Sequence, residues 1–134
     1  MSQENGEVVR RGVDAWNRGD VEAWLDVGHP DIELISALAA EVEGAETVYR
    51  GHAGLRRFWD EWHSVWDVAI EISEIRDLGE TVLALGRMRT RGNVSGIVLE
   101  RQVAYVSRFK GGLIWKLRAY ADHAEALEAV GLSE

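Results

Sequence analysis

Three side chains are candidates to hold or move protons: Tyr105, Asp122 and His63. Tyr105 lies in a run where strand alternation puts Arg101, Val103, Tyr105 and Ser107 on one face. A phenol there can donate a hydrogen bond to a carbonyl or enolate oxygen, or sit in a core with its hydroxyl satisfied by backbone or water. Asp122 can act as a base, yet it stands before the last helical pattern, where aspartate caps free backbone N–H groups. His63 shares a side of a helical pattern with Trp59 and Trp66. It suits a general base, or a helix end or dimer seam. Arg87, Arg89 and Arg91 alternate along one strand face, with Arg101 opposite on the neighbouring strand. They suit a carboxylate or phosphate ligand, or a solvated surface paired with Glu71, Glu74 and Glu100. His29, His52 and His123 are scattered at element boundaries and form no metal spacing with Asp or Glu. Neither a metal nor a cofactor is expected.

The chain that positions these groups has 134 residues, 46% hydrophobic and 28% charged. That length suits a single domain, 1–134, whose core needs no covalent staples. Cysteine is absent, which excludes disulfides, thiolate metal sites and a cysteine nucleophile. Fifteen Lys and Arg against 23 Asp and Glu leave a net charge of −8. Nucleic acid, which needs a basic face, is therefore not an expected partner. The opening MSQENGEVV is polar and acidic, unlike a signal peptide. No apolar run approaches the ~20 residues that span a bilayer. The expectation is a cytoplasmic protein that does not engage membranes.

Apolar spacing is helical up to residue 66 and strand-like after it. Val9, Val13 and Trp16 recur at i, i+4 and i+7, which predicts a helix over 5–18. Gly19 stops it, and Asp20 caps a second helix over 21–27 that carries Trp24 and Leu25. Pro30 favours extended backbone at His29, ahead of a short strand over 32–36. Residues 37–47 read as a loop that covers something. Leu55, Phe58, Trp59, Trp62 and Trp66 form an aromatic stripe on a third helix. Val68, Ile70 and Ile72 then alternate along a strand from residue 67. Turns at 77–80, at Gly92-Asn93 and at 110–112 separate strands over 81–91, 96–109 and 113–120. A last helix over 122–130 closes at Gly131. Segregated helices and an antiparallel meander indicate an α+β fold whose sheet curls into a half-open barrel around an apolar cavity.

Ala15-Trp16-Asn17-Arg18-Gly19-Asp20, His29-Pro30-Asp31, the stretch Tyr49-Arg50-Gly51-His52-Ala53-Gly54-Leu55-Arg56-Arg57-Phe58, and Arg118-Ala119-Tyr120-Ala121-Asp122 occur in that order. Together they resemble a SnoaL-like domain of the nuclear transport factor 2-like superfamily, over residues 5–132. The resemblance implies a cone-shaped, curved, mostly antiparallel sheet wrapped around three N-terminal helices, with a short C-terminal helix. It also implies a homodimer through the outer sheet face. The superfamily uses its pocket for ketosteroid isomerisation, polyketide aldol cyclisation, dehydration, epoxide hydrolysis and plain ligand binding, so fold does not fix function. Isomerase chemistry needs a carboxylate base and two donors for the enolate oxygen, one a carboxylic acid kept neutral by apolar surroundings. Aligned with that pattern, the tyrosine donor falls at Gly12, the base at Ser36 and the neutral acid at Tyr105. The aspartate of the cyclases and epoxide hydrolases falls at Ala119, unless Asp122 bends into the cavity.

With those carboxylates replaced, the expected function is binding of a small, largely apolar ligand between the first and third helices and the sheet. Tyr105 and Ser36 would supply polar contacts, with Trp16, Phe58, Trp59, Met88 and Ala119 as walls. Trp16 and Trp59 also suit plain core filling. One alternative is a cofactor-free isomerase, polyketide cyclase or dehydratase working by proton transfer through Tyr105, Asp122 or His63. Another is a protein-interaction module using the outer sheet face. An open cavity on the order of a few hundred Å³ favours ligand or substrate. A cavity closed by Trp16 and Trp59, with an exposed apolar sheet patch, favours the module.

Overall fold

The computed structural model describes residues 3–37 and 48–132. Helix α1 (Gln3–Asn17) carries the stripe of Val9, Val13 and Trp16, and the chain reverses at Gly19, whose φ of 75° glycine adopts without strain. Asp20 accepts a hydrogen bond from Ala23 N at 3.1 Å and caps α2 (Val21–Asp26), as its position predicts. Strand β1 (Gly28–Ser36) begins four residues before the predicted start, because the stretch around Pro30 is already extended. Strand β2 (Val48–Arg50) has no counterpart in the sequence reading, since three residues are too few to show an alternation. The predicted covering loop lies outside the described residues from 38 to 47. Helix α3 (Gly51–Val65) follows, and Trp66, read as the end of its stripe, instead opens β3 (Trp66–Asp77).

Strands β4 (Thr81–Gly92), β5 (Val98–Lys110) and β6 (Leu113–Tyr120) complete the meander, and α4 (His123–Ala129) follows. Gly111 and Gly112 both have positive φ, 62° and 79°, which supplies the tight β5–β6 turn. The sheet order is β2-β1-β6-β5-β4-β3, curved and unclosed. Among the described residues only the β1–β6 pair is parallel; it sets Ser36 beside Ala119 and so joins the N-terminal half to the meander. The β3–β4 ladder shifts register between Ile72 and Glu74. Opposite that irregularity stands Gly86, where an added Cβ would fall 2.1 Å from the Glu71 carbonyl oxygen.

The N-terminal helices cover the concave face. Val9, Leu25, Ile32, Leu34, Leu55 and Ile114 form part of one buried cluster there; Trp16, Trp59, Trp62, Val68, Met88 and Val103 form a second. On the opposite face α4 lays Ala126 and Leu127 onto Leu83, Leu85, Ala104 and Val106. The middle of the outer sheet face is thus covered by the chain itself. Arg87, Arg89 and Arg91 are exposed on that face, with Glu100 3.8 Å from Arg87 and Glu71 directly across from it. Glu74 pairs with Arg76 instead of joining them. Arg101 does not belong to the row: its cross-strand neighbour is Met88, which places it on the helix side. No helix among the described residues is long and apolar enough to cross a membrane.

Candidate functional site

Sheet register assembles the floor of a hollow. Ser36 on β1 stands beside Ala119 on β6, and Ala119 stands beside Tyr105 on β5. Two residues along β5, Ser107 faces the same way, between Leu117 and Val82. Trp16 and Gly12 of α1, Trp24 of α2, and Phe58 and Trp62 of α3 close the space from above. The rings pack against one another: Trp16 lies edge to face with Trp24 at 5.3 Å and tilted 6.0 Å from Phe58, which is itself tilted 6.0 Å from Trp62. The volume of the hollow is about 80 Å³, below the few hundred expected, because these bulky rings occupy its walls.

The hollow brings together Gly12, Ser36, Tyr105 and Ala119, the four positions to which the resemblance assigned proton-handling roles. It also includes Trp16, Phe58 and Met88. Among the described lining residues there is no carboxylate, amine, guanidinium or imidazole. Tyr105 is half-buried and lines the hollow. Its phenol lies deep among protein atoms, and burial pushes its pKa well above the ordinary tyrosine value. The phenol is therefore a neutral donor across the working pH range.

Three expected site residues stand elsewhere. Trp59 is not in the lining: its ring packs behind Trp16 at 4.8 Å and under His63 at 4.4 Å. His63 is outside the hollow too, stacked against those rings, with Nδ1 donating to the Trp59 carbonyl at 2.8 Å. The fourth-residue step on α3 explains both, since positions 59 and 63 share a face turned toward α1. Asp122 is exposed and caps α4, its carboxylate accepting from Ala124 N at 2.7 Å. The cap, not the hollow, is where its backbone position directs it. Among the described residues, no three His, Cys, Asp or Glu side chains group as metal ligands.

Sequence reasoning missed Trp24, Trp62 and Ser107. Trp62 was visible in the aromatic stripe, and Ser107 as the i+2 neighbour of Tyr105. Trp24 gave no such signal, because the packing of α2 over the hollow depends on the turn at Gly19.

The SnoaL-like domain family matches residues 9–117 of this chain. No curated protein matches its sequence. Its fold is similar to that of a nuclear transport factor 2-like protein of unknown function from Burkholderia pseudomallei K96243 (TM-score 0.81, 22% identity, 98% of this chain and 99% of that one). It is similar also to TerC, co-crystallised with polyporic acid (TM-score 0.81, 19% identity, 93% of this chain and 96% of that one). A third similar structure, from Catenulispora acidiphila DSM 44928, has a ketosteroid isomerase-like fold in complex with trimethylamine (TM-score 0.74, 16% identity, 94% of this chain and 93% of that one).

Proposed function

The chain belongs to the SnoaL-like domain family, and from that premise we propose that it is a small-molecule-binding protein whose hollow takes a compact, largely apolar ligand. One observation carries the reading: among the described residues the hollow is walled by aliphatic and aromatic groups and neutral hydroxyls, with no acid–base side chain. Apolar walls supply affinity by excluding water, and a few fixed polar atoms orient the guest. Two proteins of similar fold are known in complex with small organic molecules, polyporic acid and trimethylamine, which supports a binding role. A thermal-shift screen of compact neutral molecules tests it. Ligands of this class should raise the melting temperature of the wild type; a screen in which none does so counts against the reading.

A second reading is an interaction module, favoured by Val94, Ile97, Val98 and Leu99, exposed together at the β4–β5 hairpin. Asn93 ties this hairpin to the end of α3 by hydrogen bonds to the Val65 and His63 carbonyls. Such a cluster is more apolar than the charged outer sheet face. Stabilisation by a partner protein, with none by any small molecule, would favour it.

A further inference from the structure

Across the outer sheet face, register lines up Thr81 of β4, Arg108 of β5 and Lys116 of β6. Directly opposite residues stand about 5 Å apart, so Arg108 and Lys116 meet as like charges, an arrangement that costs stability. Arg118 follows two residues along β6 on the same face. Lys116 has a counter-charge, Glu33 at 3.3 Å. Among the described residues no carboxylate pairs with Arg108 or Arg118, although the chain carries 23 Asp and Glu and a net charge of −8. Arg118 lies over the Tyr120 ring instead, 5.3 Å from its centre.

The same surface is hollowed beside Arg108. Leu78 of the β3–β4 turn, Thr81, Val106 and Arg108 of the sheet, and Ala129 and Val130 at the end of α4 border an open groove of about 290 Å³. Its walls are mostly apolar, and Leu78 is 47% exposed. Arg108 is the one charged residue among the described lining ones. Asp77, next to Leu78, does not neutralise it; its carboxylate accepts from Gly6 N at 2.8 Å and Gly79 N at 3.0 Å.

We propose that this groove binds small carboxylates that carry an apolar tail. The Arg108 guanidinium is a planar fork that matches a carboxylate, and the Thr81 hydroxyl can donate to the same group. The tail lies against Leu78, Val106 and Val130, out of water. A bound anion also offsets the repulsion between Arg108 and Lys116. The site is separate from the hollow, because Val106 and Arg108 alternate with Tyr105 and Ser107 and so face the other side of the sheet. It stands whether or not the hollow takes a ligand.

Hexanoate, compared with 1-hexanol and acetate, provides the test. Each is titrated into the whole chain at low salt and followed by backbone amide NMR shifts. Hexanoate should saturate, bind about fivefold tighter than either control and weaken as salt rises, with shifts at Thr81, Arg108 and Val130. Arg108→Gln changes an exposed side chain; it should bring hexanoate down to the level of hexanol and leave hexanol unchanged. Equal binding of hexanol and hexanoate to wild type overturns the site, as does hexanoate binding untouched by Arg108→Gln. Shifts confined to the Trp16 and Trp62 indoles place the acid in the hollow and overturn it too. So does affinity that falls as protein concentration rises, which shows a second copy covering this face. Hexanoate that never saturates overturns it outright.

Discussion

The Asn17 side chain does the work of a neighbouring strand at Ile70: its Oδ1 accepts from Ile70 N at 2.8 Å and its Nδ2 donates to Ile70 O at 2.7 Å. Ile70 lies on β3, a free edge of the sheet. One residue earlier on α1, Trp16 forms part of the wall of the hollow. The amide therefore blunts an edge and fixes the helix that roofs the cavity. Asn17→Ala should lower stability by about 1–2 kcal/mol, read from urea denaturation, since both bonds are partly open to water. An unchanged midpoint would show that water replaces the amide at no cost.

Gly86→Ala is expected to be far more damaging. Its Cβ would meet the Glu71 carbonyl oxygen at 2.1 Å, and backbone on both strands must move to relieve that. A loss of about 3 kcal/mol or more, or failure to fold, is the expected result. Circular dichroism melts check it; a loss under about 1 kcal/mol would mean the bend in β3 is easily displaced.

Asp122→Ala should cost about 1 kcal/mol through loss of the α4 cap, and ligand binding should not change. Parallel melts and titrations separate the two effects. A loss of binding or turnover at unchanged stability would restore Asp122 to the site.

The α+β class, the meander, the Asp20 and Asp122 caps and the aromatic helix were legible because each is written in local spacing. What brings Ser36 to Tyr105 was not. Their shared place in the floor, on either side of Ala119, runs through the parallel β1–β6 pair, which joins residues over 80 positions apart in the chain and leaves no local period. Trp59 shows the same limit on a smaller scale. Its stripe placed it on the buried side of α3, but whether it faced the hollow or the back of Trp16 depended on how α1 and α3 pack. Arg101 is the converse case: its strand face was legible from the alternation with Tyr105, and grouping it with the Arg87 row overrode that signal.

Burial of the Tyr105 phenol gives the protein a pH signature. Its folded pKa lies above the unfolded value near 10, so below about pH 10 both states hold the proton and the contribution is fully present. As pH rises past that value the unfolded chain releases its proton first, and stability falls progressively toward the higher folded pKa. Urea midpoints from pH 8 to 11 should decline less steeply in Tyr105→Phe than in wild type. Identical slopes would mean that the phenol ionises in place.

Filling the floor with Ala119→Leu tests the central claim most directly. Ala119 stands between Ser36 and Tyr105 and borders the cavity. Isothermal titration of cyclohexanone into wild type should show one site per chain. In Ala119→Leu, with its fold verified by circular dichroism, affinity should fall at least about tenfold, as occupied volume excludes the guest. Binding that is absent from wild type, or untouched by the filled floor, would contradict the account.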